Sequence, residues 1–324
     1  MHAARVWFPV LVAIVLLLIP RPAAAQEDYR IGLIAKSQSN PVFQAARVGA
    51  VDAARDLGRK HGIRVEIDWR TPNDEDAQKQ ADYIEQLVVA GVDGIAISCS
   101  DATKVTRSID DAVGSGVVVV CFDSDAPRSK RMCFHGVDDL ECGRRVMQEL
   151  ADVLGETRGR IAVLAGNQNA PNLQKRVRGV MEELAKHPRL TLADVYYHKE
   201  TAQDAAARVE EVQTLNPDIV GWAMVGGWPL FSDALLKWEP GKVKIVAVDA
   251  LPPQLKYLEK GVADVLLAQD VYRWGYRSTE LLIDKLHENR DPASEKDISE
   301  LIRVTRSNVS EFGRNWDKWL RDVD

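Results

Sequence analysis

Short β-branched apolar runs alternate with longer stretches of helical spacing along most of the chain. Strands are predicted at 30–35, 63–68, 92–98, 117–122, 132–137, 161–165, 190–196, 219–225, 243–248 and 262–269. Between them, Ala77, Ala81, Ile84, Leu87 and Val88 form one apolar helical stripe, and Val209, Val212 and Leu215 form another. Near-continuous apolar strands such as Val117-Val118-Val119-Val120 suit a parallel sheet covered on both faces. Strand–helix alternation on this scale predicts an α/β chain with doubly wound parallel sheets. The strands fall into two blocks, one ending near Val137 and one running from about Asp138 to Gln269. The remaining tail reads as one long helix, a single short strand at 298–304, and a terminal helix whose Trp316 and Trp319 are packing residues.

The first 25 residues stand apart from this pattern. A short basic start, an apolar run from Val6 to Ile19, the break Pro20-Arg21-Pro22 and the small residues Ala23-Ala24-Ala25 read as a cleaved signal peptide. The run is short for a membrane span, which needs about 20 residues; an uncleaved anchor is the alternative. No Cys lies near the expected cut, so a lipid-anchored form is not expected. Export makes disulfides possible. Cys99, Cys121, Cys133 and Cys142 allow three full pairings, and buried free thiols remain an equal reading.

Charge narrows the function. The 324 residues carry a formal net charge of -6, and removal of Arg5 and Arg21 with the leader leaves 40 basic against 48 acidic residues, or -8. That balance excludes an electrostatic grip on nucleic acid, which needs clustered Lys and Arg. There is no HExxH, GxxxxGK[ST] or GxSxG, no nucleophile beside a base, and no metal-ligand spacing, so neither catalysis, a cofactor nor a metal is expected. His135, in an apolar strand, reads as a hydrogen-bonded structural histidine.

The chemistry lies at the strand ends. In open parallel sheets ligands sit beyond the carboxyl ends of the strands, and here those ends are polar. Lys36-Ser37-Gln38-Ser39-Asn40, Ser98-Cys99-Ser100-Asp101, Asp123-Ser124-Asp125, Asn167-Gln168-Asn169, Asp249 and Gln269-Asp270 follow successive strands. Helix capping explains any one of them; their recurrence points to a shared cleft of groups suited to paired hydroxyls.

Six ordered motifs carry a resemblance over nearly the whole mature chain. They are Asn40-Pro41-Val42-Phe43; Gly91-Val92-Asp93-Gly94-Ile95; Phe122-Asp123-Ser124-Asp125-Ala126-Pro127 with Ser129 and Arg131; Asn172 through Arg176 to Gly179; Val248-Asp249-Ala250; and Ala268-Gln269-Asp270 with Tyr272 and Gly275. In these the chain resembles the periplasmic sugar-binding proteins of ABC importers of the ribose/galactose type, which share their fold with lactose-repressor-like effector domains. The resemblance implies a type 1 periplasmic binding protein: two doubly wound parallel-sheet lobes joined by a three-crossing hinge. The implied division is a signal peptide at 1–25, an N-terminal lobe at 26–137 plus 270–302, and a C-terminal lobe at 138–269 plus 303–324. Crossings fall near Val137-Asp138, Gln269-Asp270 and 301–304.

By the same resemblance, Asn40, Asp123, Asn172, Arg176, Asp249 and Gln269 hydrogen-bond the sugar and Phe43 covers a ring face. Two departures alter the pattern. Val42 replaces an aromatic, and Trp222-Ala223-Met224-Val225-Gly226-Gly227-Trp228 lacks an expected Asn, so Trp222 or, preferably, Trp228 becomes a stacking candidate. The implied role is capture of a monosaccharide or similar polyol in the periplasm and delivery to an ABC permease in the inner membrane, by a monomer without cofactors. A sugar-sensing subunit for a sensor kinase or chemoreceptor is the alternative, and a secreted enzyme the minor one.

Overall fold

The computed structural model describes residues 27–168 and 170–323. The expected signal peptide lies outside the described residues. The first lobe begins with β1 (Asp28–Ile34), α1 (Pro41–His61), β2 (Arg64–Trp69), α2 (Ala77–Val89), β3 (Gly94–Ile97), α3 (Ala102–Gly114), β4 (Val118–Phe122) and β5 (Cys133–Gly136). The chain then crosses into α4 (Asp139–Leu154), β6 (Gly159–Ala165), α5 (Pro171–Leu184), β7 (Leu190–Tyr197), α6 (Ala202–Leu215), β8 (Ile219–Met224), β9 (Lys244–Val248), α7 (Pro252–Glu259) and β10 (Val265–Ala268). It returns as α8 (Val271–Glu288) and β11 (Lys296–Ile298), then crosses again to β12 (Ile302–Val304) and α9 (Val309–Trp319).

The two sheets repeat one order, β2-β1-β3-β4-β5-β11 and β7-β6-β8-β9-β10-β12. All pairings are parallel except that of β12 with β10. This is the two-lobed, doubly wound α/β architecture expected, with the central strands β3 and β4 almost wholly buried.

The expected single strand at 298–304 is in fact two. β11 pairs with β5 in the first sheet, and Ile302 pairs with Ala268 in the second. The crossing is therefore at 299–301, slightly earlier than expected, and Ile302 sits with the second sheet instead of the first. The carboxyl ends of the two sheets face one another, so a short crossing from one enters the other at its carboxyl end and must run antiparallel. Leu215 also departs from its predicted stripe: it ends α6 at 74% exposure, while Val209 and Val212 are buried.

Helix pairing depends on four glycines. A Cβ at Gly49 or Gly275 would lie 2.0 or 1.8 Å from a carbonyl oxygen of the facing helix, Tyr272 or Ala46 respectively. Gly143 and Gly179 make the same close approach between α4 and α5, to the carbonyls of Arg176 and Leu140 at 1.9 and 2.0 Å. Only glycine lets the backbones come this near. The Tyr272 hydroxyl on α8 donates to buried Asp52 on α1 at 2.7 Å, and Arg321 pairs with the same carboxylate.

Helix α9 ties the lobes together. Trp316 Nε1 donates to the Ala250 carbonyl at 2.8 Å, and Trp319 stacks on Tyr272 with centroids 6.3 Å apart. Both tryptophans are packing residues. His135 is structural as expected, its Nδ1 lying 2.9 Å from Asp297 Oδ2 on β11. All four cysteines are free and buried, with the Cys99 and Cys121 sulfurs 3.9 Å apart. Among the described residues no helix is long and apolar enough to cross a membrane.

Candidate ligand-binding cleft

The carboxyl ends of both sheets open into one space. A cavity of about 280 Å³ is lined by Lys36 after β1, Ser100 after β3, Ser124 and Asp125 after β4, Asn167 after β6, Asn172 on α5 and Glu200 after β7. An adjoining space of about 500 Å³ shares Glu75 and Glu200 with it. Both lobes therefore contribute walls.

On the first lobe, Asp123 has a left-handed backbone (φ 56°) and is nearly buried. Its Oδ2 accepts from the Ser98 hydroxyl at 2.7 Å and lies 3.4 Å from Lys36 Nζ. Buried Gln80 fixes this wall: its amide nitrogen donates to the carbonyls of Ala35 and Ser98, and its oxygen accepts from the Ser100 N–H. Arg131 is held on Asp125, with Nη2 2.8 Å from Oδ2. Burial opposes the charge on Lys36, but Asp123, Glu75 and Glu200 outweigh it and raise its pKa.

On the second lobe, Arg176 is buried at 4% exposure with all its nitrogens engaged. Nε donates to Asp139 Oδ1 at 2.9 Å, one terminal nitrogen to the Val225 carbonyl at 3.1 Å, and the other to Gln269 Oε1 at 3.3 Å. Gln269 in turn donates to Asp249 Oδ1 at 2.8 Å, where Asp249 is again left-handed (φ 71°). Burial pushes the Asp249 carboxyl above its ordinary pKa, with Arg176 and the Gln269 bond pulling the other way. Asp123 acts electrostatically on Arg176, Asp139 and Asp249 across the gap, so the two walls face one another.

The structure thus brings Asp123, Asn172, Arg176, Asp249 and Gln269 to the interlobe region. It does not do so for the rest. Asn40 caps α1, accepting from the Val42 N–H at 3.1 Å. Phe43 is 3% exposed and packs on Trp274, with centroids 6.2 Å apart, so its ring belongs to the core of the first lobe instead of covering a ligand face. Trp222 is fully buried and donates to Gln213 at 2.8 Å. Trp228 packs beneath Gly166 and Gly226 and meets the His198 ring edge-on at 5.1 Å; it is not among the residues that line either space.

Sequence reasoning missed Glu75, Asp139 and Glu200, and passed over Lys36 though it directly follows β1. Asp139 sits inside a crossing and two residues before the helical stripe of α4, where an acidic residue reads as a cap. Glu200 follows β7, an edge strand that is only partly buried and carries no polar run to mark its end.

Known proteins agree with this geometry. The D-allose-binding periplasmic protein of Escherichia coli (strain K12) is 24% identical over 307 residues, covering 90% of this chain and 96% of that protein. The ribose import binding protein of Bacillus subtilis (strain 168) is 27% identical over 160 residues, so that the match spans about half of each chain. A solved ABC-transporter solute-binding protein from Burkholderia graminis C4D1M, in complex with D-arabinose, superposes with a TM-score of 0.79 at 26% identity, covering 88% of this chain and 97% of that one. Residues 31–290, which hold both sheets up to the last crossing, match the model of the periplasmic binding protein domain, and the chain belongs to that family.

Proposed function

We propose that the protein is an extracytoplasmic solute-binding protein that captures a monosaccharide or similar polyol between its lobes and presents it to an ABC permease. The observation that carries this reading is the pairing of opposed strand ends: Asp123 on one wall, and Arg176, Gln269 and Asp249 on the other. Carboxylates, an amide and a guanidinium in fixed positions accept from and donate to hydroxyls, and none is placed as a nucleophile beside a base. Binding without turnover follows. The lobes rotate about the three crossings, so closure assembles the site and excludes water. The relatives named for ribose and D-allose, and the D-arabinose complex, support a sugar as the ligand class. The chain acts as a monomer in the periplasm, freed by cleavage of its leader.

A thermal-shift screen of the mature protein over pentoses, hexoses and polyols tests the reading. A ligand at 100 times its dissociation constant contributes about 2.7 kcal/mol, a shift of several degrees. Absence of any shift across the panel would overturn it.

A further inference from the structure

The cations around the cleft are already matched. Lys36 forms its ion pair with Asp123, Arg131 with Asp125 and Glu295, and Arg176 with Asp139. Three carboxylates are not. Among the described residues Asp249, Glu75 and Glu200 have no ion pair: Asp249 is held by the Gln269 amide, Glu200 accepts the Asn167 N–H at 3.0 Å, and Glu75 has no hydrogen bond. Glu75 comes from the first lobe and Glu200 from the second, and both line the two connected spaces. The Ser100 hydroxyl oxygen lines the smaller space, buried and without a partner.

Closure therefore carries two like charges toward each other from opposite walls, with the only nearby cation paired elsewhere. A neutral sugar leaves that repulsion standing, and an acidic one adds to it. Glu75 keeps an open face to solvent, yet burial lifts its carboxyl pKa against the pull of Lys36, and the Glu200 and Asp123 charges add to the rise. A ligand cation would relieve this state.

On the reading that the cleft holds a polyhydroxylated solute, we propose that this solute carries a cationic nitrogen, as an amino sugar or amino polyol does. The ammonium sits between Glu75 and Glu200, and the hydroxyls meet Asp123, Asp249 and Ser100.

The test is calorimetry on the mature protein at pH 7 with matched sets: amino pentoses, amino hexoses and amino polyols, their neutral parents, and the corresponding sugar acids. At least one amine should bind tenfold or more tighter than its neutral parent, with the acids weakest. In the Glu75→Gln, Glu200→Gln double variant that ratio should fall to near one. If a neutral sugar binds and every amine derivative binds more weakly, the inference fails while the sugar reading stands. If an amine is preferred but the double variant keeps the preference, the two glutamates are not its site. If no compound in any set binds, both readings fail together.

Discussion

Asp123 and Asp249 hold the same place in the two lobes. Each follows the fourth strand from the outer edge of its sheet, and each has a left-handed backbone. Each also donates its N–H to a carbonyl on the next strand, His135 at 3.1 Å and Leu267 at 2.9 Å. The fold thus aims two carboxylates at one another by repeating one local device, and a β-branched residue or alanine would be strained there. Asn tolerates this conformation. We expect Asp249→Ala to be less stable than Asp249→Asn by about 1–2 kcal/mol, with both losing ligand-induced stabilisation. Equal urea midpoints for the two variants would remove the backbone argument; retained ligand shifts in both would remove the site.

Arg176 makes a different demand. Sequence reasoning alone expects Arg176→Ala to leave the fold intact, but Asp139, 8% exposed, then loses its buried partner. Breaking a buried pair costs about 3–5 kcal/mol. The denaturation midpoint of ligand-free Arg176→Ala should fall accordingly, and adding Asp139→Ala should recover part of the loss. A double variant no more stable than the single one would show that the pair does not carry the cost.

The glycine crossings predict opposite signs for one substitution. Gly179→Ala drives a methyl into the Leu140 carbonyl and should cost about 1–3 kcal/mol or more as α4 and α5 separate. At Gly114, which ends α3, an added Cβ meets nothing within 4 Å, and Gly114→Ala should be neutral or stabilising by up to about 1 kcal/mol. Urea denaturation without ligand reads both.

Acid should act at the hinge. The bond with His135, helped by Arg277 and opposed by burial, holds the Asp297 carboxyl well below the usual range. A depressed pKa contributes stability that is present above the unfolded value, about 4, and is lost as pH falls toward the folded one. Asp297→Asn should therefore be less stable than the parent at pH 7, by about 1 kcal/mol after allowance for its partial exposure. The two stability curves should converge below about pH 4. A gap that stays constant with pH would contradict the linkage.

Much of this was legible in the chain because apolar runs and their polar ends are local signals. Val118–Phe122 reads as a buried strand from its own residues, and Asp123 as its end. Arg176 and Gly179 were readable together because they lie on one helix. What escaped depends on tertiary partners. Phe43 follows the same turn whether its ring faces a ligand or Trp274, and only the packing of α8 decides. The break at 299–301 is invisible because Ile298 and Ile302 look like one strand until two sheets claim them. Glu75 and Glu200 lie 125 positions apart in sequence and meet only when the lobes do.

The return of α8 to the first lobe fixes the order in which the molecule can form. The Asp52 carboxylate on α1 waits for Tyr272 and Arg321, more than 200 residues downstream. The glycine at 49 likewise has no backbone to meet until Gly275 arrives. An emerging N-terminal half can collapse its strands but cannot cover α1, so it exposes apolar surface during synthesis and passage through a membrane. A chaperone that keeps the chain open until its last quarter is available would suit this topology better than folding lobe by lobe.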